Sequence, residues 1–235
     1  MKITITNDTT KKPLEMMGKY AGECWGSDIT DKSKNKKRGI SCLESDHWRV
    51  SEYPQIYMKI EGYSARFVRE LYTHIGGSPT RLQASTRYID YSDFEYIVPD
   101  KIANNTKALN KYNETMEIIK NNVDILMNGF NIPKEDVANL LPLGMTSTVV
   151  LRTNLRMLLD MCKQRMCTRA YWEFRKFMNE VSIELIKYDS QYEYIVDSYF
   201  APKCDFLRYC PESSSCGRWN KGLSSRVYPS TKTEL

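Results

Sequence analysis

Ile56-Tyr57-Met58-Lys59-Ile60-Glu61-Gly62-Tyr63-Ser64-Ala65-Arg66-Phe67-Val68-Arg69-Glu70-Leu71-Tyr72-Thr73-His74 changes its pattern halfway along. Residues 56–60 have the composition of a strand. Ser64 is then placed to cap a helix, because its hydroxyl can accept a hydrogen bond from an otherwise orphaned backbone N–H. Phe67, Val68, Leu71 and Tyr72 recur at helical spacing and predict one apolar face. Gly76, Gly77 and Pro79 stop that helix, which delivers His74, one of only 2 histidines, to its C-terminal end.

Working outward, residues 3–6 read as a short strand and Pro13 opens a helix through Leu14, Met17 and Tyr20. The lysine-rich run from Asp31 to Gly39 reads as a solvated loop. Tyr96-Ile97-Val98 reads as a strand, and residues 103–127 as one long amphipathic helix concerned with packing. Pro133 starts a short helix, Thr148-Val149-Val150-Leu151 is a buried strand, and Asn154 caps a helix carrying Leu155, Leu158, Leu159 and Cys162. A final helix is expected over 168–196. With no repeat and no Gly/Ser/Pro-rich linker, the elements predict a single mixed domain over residues 1–200 and a cysteine-containing extension over 201–235.

The chain's 235 residues suffice to bury a core, and 41% hydrophobic with 27% charged residues is ordinary for a soluble protein. A net charge of +5 suits an anionic ligand and is too small for a dedicated nucleic-acid binder. No stretch approaches the ~18 apolar residues of a membrane span, and the first residues lack the apolar core of a leader, so a cytoplasmic protein is expected. The 7 cysteines are then reduced thiols. Cys204, Cys210 and Cys216 are evenly spaced, but that tail has neither a CxxC knuckle nor a fourth ligand, so no metal is expected.

Two stretches carry candidate chemistry. From His74 to Tyr88, small residues stand beside Arg81, Gln83, Ser85 and Arg87. Glycines let backbone N–H groups approach an anion, and a serine and an arginine two apart on extended chain project to one side, a natural phosphate grip. A surface ion pair with Asp90 is the other reading of Arg87. The second stretch runs from Asn154 and Arg156 through Asp160 to Arg165, then from Arg169 to Glu173, with charges interrupting an apolar helix. Arg156 and Asp160 share a helix face and can be a simple i, i+4 ion pair, while Arg165 near a helix C-terminus is also favoured by the helix dipole.

Together these stretches resemble the flavin-dependent thymidylate synthases, and the likeness continues through His47, Ser51-Glu52, Ile60-Glu61-Gly62-Tyr63-Ser64 and Leu141-Pro142-Leu143-Gly144-Met145, over roughly residues 40–200. The resemblance implies an α+β fold with a central, mostly antiparallel sheet flanked by helices, assembled as a homotetramer. It implies methylation of dUMP to dTMP, with methylenetetrahydrofolate as one-carbon donor, FAD as hydride carrier and NADPH as reductant.

It assigns Arg165 as the catalytic cation against the uracil ring, with Glu70, Gln83, Ser85 and Arg87 on dUMP. His47, His74, Arg81, Asn154, Arg156 and Asp160 fall to FAD, and no nucleic acid or membrane is implied. The chain departs from the family pattern where an Arg-His-Arg triplet is usual, since it has Thr73-His74-Ile75. Gly76 and Gly77 look inserted, Gln83 stands for glutamate, Glu70 for glutamine, and Arg49 for a small hydroxyl residue. A backbone nest at the two glycines, with Arg81 as the surviving cation, is the expected repair. Two other readings stay open: a flavoenzyme acting on another pyrimidine nucleotide, and a nucleic-acid-binding module using Lys32, Lys34, Lys36, Lys37 and Arg38.

Overall fold

In the computed structural model, which describes residues 1–76 and 79–220, the strand expected around Ile56 runs as β2 over Gln55–Ser64. Alternation buries Ile56, Met58 and Ile60 on one face. Gly62, at φ 70°, sits in a bulge where the register shifts between Glu61 and Tyr63. The extra residue changes the parity of the strand, so that Tyr63 and Ser64 both turn inward.

The strand β1 (Lys2–Ile5) pairs with one edge of β2, Ile3 opposite Ile60. On the other edge lies β4 (Thr146–Asn154), which also carries β3 (Thr80–Gln83). The sheet order is β1-β2-β4-β3 with every pair antiparallel, and helices cover one face, the α+β architecture expected.

That face is packed by α3 (Ala65–Leu71), α7 (Leu155–Arg165), α8 (Trp172–Tyr188) and α9 (Gln191–Tyr199). Tyr63, Phe67, Phe174 and Phe177 form an aromatic knot with ring centroids 4.7–5.8 Å apart. The expected final helix is two: Asp189 is extended, its carboxylate accepts from the Gln191 N–H, and α9 starts afresh.

The lysine-rich run is a helix, not a loop. Within α2 (Lys32–Glu44), Asp31 accepts from the N–H groups of Ser33 and Lys34, an N-cap that charge composition concealed. Its glycine face meets α1 (Pro13–Cys24) at backbone distance: a Cβ on Gly18 would lie 1.8 Å from Asn35 O, and one on Gly39 2.1 Å from Leu14 O.

The stretch 103–127 also divides. A short α4 (Asp100–Ala103) ends there, Asn105 caps α5 (Thr106–Asp124), and a π turn follows over Ile125–Gly129. Within α5 only Met116 and Val123 are buried, in two small clusters, the second joined by Met127 and closed by α6 (Lys134–Val137). Tyr96 makes a single bridge to Met145 rather than a strand. Beyond α9 comes α10 (Lys203–Leu207). No helix among the described residues is long and apolar enough to cross a membrane.

Candidate active site

Ser64 closes β2 and opens α3: its hydroxyl accepts from the Phe67 N–H at 3.0 Å and donates to Glu173 at 2.6 Å. The same fully buried carboxylate accepts from the Ser64 N–H. Glu173 in the first turn of α8 therefore ties two helix starts together and fixes the direction of α3. Sequence reasoning gave Glu173 no such duty; an acidic residue opening an apolar run was its only signal.

α3 leads Glu70, Thr73 and His74 to one point. From the other side Asn154 caps α7 through the Met157 N–H at 2.8 Å, and α7 delivers Arg165 to the same point from its last turn. Arg165 donates from Nε to His74 Nε2 at 2.8 Å, from Nη1 to Glu70 at 3.1 Å, and from Nη2 to the Thr73 hydroxyl at 3.4 Å. Its guanidinium lies 4.8 Å from the centroid of the Phe174 ring. Among the described residues three of its five N–H groups are engaged.

His74, 8% exposed, is pushed down to about 4 by burial, then by the guanidiniums of Arg165 and Arg81. At neutral pH it is an uncharged acceptor, which assigns its proton to Nδ1. The imidazole can thus hold the arginine without repelling it. Arg81 donates to Leu71 O at 3.0 Å, lies over the Tyr72 ring at 4.8 Å, and is near enough to bias His74. Gly77, half of the expected nest, lies outside the described residues with Ser78.

The phosphate stretch differs from its expectation. The chain leaves β3 in a turn: Ile89 N–H donates to Ser85 O at 3.1 Å and Arg87 N–H to the Ser85 hydroxyl at 3.2 Å. Ser85 and Arg87 adjoin through that turn and not through extended alternation. The Arg87 guanidinium is stacked 5.3 Å from the Tyr88 ring rather than paired with Asp90, and it is exposed. Gln83 donates to the Ser147 hydroxyl at 3.4 Å. No hydrogen bond or ion pair among the described residues joins Ser85 or Arg87 to Arg165.

His47 and Arg156 meet elsewhere, in a cavity of 460 Å³ walled by Tyr20, Trp25, Trp48 and Tyr53. Tyr20 and Tyr53 stack there at 4.2 Å. Arg156 pairs with Glu52 at 3.1 Å and Asp160 with Lys163 at 3.1 Å, so the expected Arg156–Asp160 pair is replaced by two others. Asp160 takes the i, i+3 neighbour on its own helix, and Arg156 reaches Glu52, 104 residues away, which one-helix spacing does not register.

The sequence and the antiparallel α+β fold both match known proteins. The sequence model of the family described as thymidylate synthase complementing protein matches residues 7–188. The chain belongs to this family. It is similar to the flavin-dependent thymidylate synthase of Nitratidesulfovibrio vulgaris, 29% identical over 215 residues, covering 85% of this chain and 84% of the relative. The enzyme of that name from Pyrococcus furiosus is 28% identical over 228 residues, covering 90% of each.

Among solved structures, thymidylate synthase X from Helicobacter pylori with FAD and dUMP superposes with a TM-score of 0.66 at 17% identity, over 85% of this chain and 99% of that one. The UMP/dUMP methylase PolB from Streptomyces cacaoi, bound with 5-Br dUMP, gives 0.68 at 13% identity, over 84% and 95%. These two likenesses concern the fold.

Proposed function

We propose that this chain is a flavin-dependent thymidylate synthase, methylating dUMP to dTMP with methylenetetrahydrofolate as one-carbon donor and NADPH as reductant. The observation that carries the reading is Arg165, held from three sides by a neutral histidine, a carboxylate and a hydroxyl. A cation fixed before the reaction stabilises charge that develops on a substrate ring without reorganising to do so. Against uracil, its N–H groups favour electron density on the ring oxygens and at carbon five, which makes that carbon nucleophilic. No cysteine is needed for the step. Glu70 shares Arg165 and keeps the guanidinium oriented, while Gln83, Ser85 and Arg87 take the nucleotide and its phosphate.

FAD, when bound, supplies the hydride that reduces the transferred carbon to a methyl group. The chain suits it: the 460 Å³ cavity offers aromatic walls to a planar ring, with cationic Arg49 and Arg156 beside them. His47 and Arg156 line that cavity and would take the cofactor there, while His74 and Arg81 lie on the side of Arg165.

A homotetramer is part of the proposal. Ile75, Leu82, Tyr88 and Val150 are large, exposed and near the phosphate turn, an apolar surface suited to another copy. A second copy would also bring Arg87 to an Arg165 that its own chain does not join. The enzyme would work in the cytoplasm, without nucleic acid or membrane.

Release of tritium from carbon five of labelled dUMP, with FAD, the folate and NADPH, tests this, together with the yellow flavin spectrum of the purified protein. A colourless protein that takes up no FAD sinks the proposal. The fold likeness to a UMP/dUMP methylase favours a second reading, in which the ribonucleotide is the substrate. The same assay with labelled UMP decides between them.

A further inference from the structure

The turn after β3 receives a second cation from far along the chain. Lys134 opens α6, and its ammonium donates to the Tyr88 carbonyl oxygen at 3.4 Å, across 46 residues. The stem of Lys134 is half-buried and lines the crevice under the turn with Thr86, Ile89, Met127 and Val137, so its charged end emerges at a set place. Arg87 reaches the same residue, with its guanidinium 5.3 Å from the centroid of the Tyr88 ring. Two cations from separate parts of the chain thus converge on Tyr88, in the turn where the Ser85 hydroxyl accepts from the Arg87 N–H at 3.2 Å.

The chain does not neutralise either of them. Among the described residues neither Lys134 nor Arg87 enters an ion pair: the ammonium has one neutral carbonyl and the guanidinium one ring. Asp90, the carboxyl that Lys134 influences, is held below the usual carboxylate range first by hydrogen bonds from the Ser92 backbone and side chain, with the lysine last.

A nucleotide phosphate carries about two negative charges at neutral pH and three strong acceptor oxygens. One guanidinium and one hydroxyl balance only part of that charge. An ammonium that spends one of its three N–H groups on a neutral carbonyl is equipped to balance the rest.

We propose that Lys134 is a further substrate-binding residue, which brings a second positive charge to the phosphate held by Ser85 and Arg87. This role rests on the turn being the phosphate grip of the nucleotide, as proposed for it. The planar fork of Arg87 fixes the orientation of the phosphate, whereas the ammonium of Lys134 acts as a point charge with rotatable donors. The small cluster of Val123, Met127 and Val137 gains a function as well: it seats α6 so that Lys134 meets the turn.

The test is calorimetric titration of dUMP into the full wild-type chain, into Lys134→Met, which keeps most of the stem, and into Lys134→Arg. The Kd is expected to rise about ten-fold or more in Lys134→Met, as for a lost charge-assisted hydrogen bond, and to stay within about three-fold of wild type in Lys134→Arg. In the tritium assay the Lys134→Met defect should fall on the KM for dUMP, with kcat little changed and the urea midpoint the same. Unchanged dUMP affinity in Lys134→Met overturns the proposal. Equal weakening in both variants does so too, since it would mark the stem and not the charge, as does a wild-type chain that binds no dUMP. Lysine-dependent dUMP binding without tritium release would uphold this role and sink the proposed function, while tritium release with binding indifferent to Lys134 would do the reverse.

Discussion

If His74 holds Arg165 as a neutral acceptor, acid should cost this protein stability through that one imidazole. Burial and two guanidiniums take it from 6.5 to about 4, so between those values the unfolded chain binds a proton that the folded chain refuses. Stability from this group is therefore fully present above 6.5 and drains away as pH falls toward 4. At about 1.4 kcal/mol per unit, the loss between pH 7 and pH 5 is about 2 kcal/mol.

His74→Gln keeps an acceptor near the Nε2 position and cannot titrate. Urea unfolding of both proteins at pH 7 and pH 5 gives four free energies. The wild type should lose about 2 kcal/mol more than the variant over that interval. Parallel pH dependence in the two proteins would refute the assignment of His74 as the neutral support of Arg165.

Arg165→Lys keeps a charge but loses the fork, and should lower tritium release about 10²-fold or more while flavin absorbance stays. Arg87→Ala should raise the KM for dUMP about 10-fold or more with kcat little changed, as expected for a lost charge-assisted phosphate contact. Glu173→Ala strands the buried Ser64 N–H and hydroxyl, and should lower the unfolding free energy by about 3 kcal/mol in urea titrations. Gly18→Ala forces α1 and α2 apart, because its Cβ would lie 1.8 Å from Asn35 O; a loss of about 3 kcal/mol is expected, and an unchanged urea midpoint would exclude that close packing.

Local signals were read well where one residue determines one structure. Ser64 and Asn154 are caps because a short hydroxyl or amide next to an apolar run has few better uses, and both caps are present. The core strand around Ile56 showed in its composition. Charge misled at residues 31–39: lysines look solvated whether on a loop or on the wet side of a helix, and the contribution of Gly39 appears only against Gly18. Ser85 and Arg87 adjoin through a tight turn and not through extended chain; both arrangements bring residues two apart together.

Taken alone, the sequence determined most of the elements, because periodicity, capping and residue chemistry act within a few positions along the chain, while the α+β class and Arg165 as the cation to follow came through its family resemblance. The meeting of His74, Glu70 and Thr73 around that cation, the neutrality of the histidine, and the pairing of Arg156 with Glu52 were decided only in three dimensions. Distance through space and loss of water set hydrogen bonds and protonation, and neither is a function of separation along the chain.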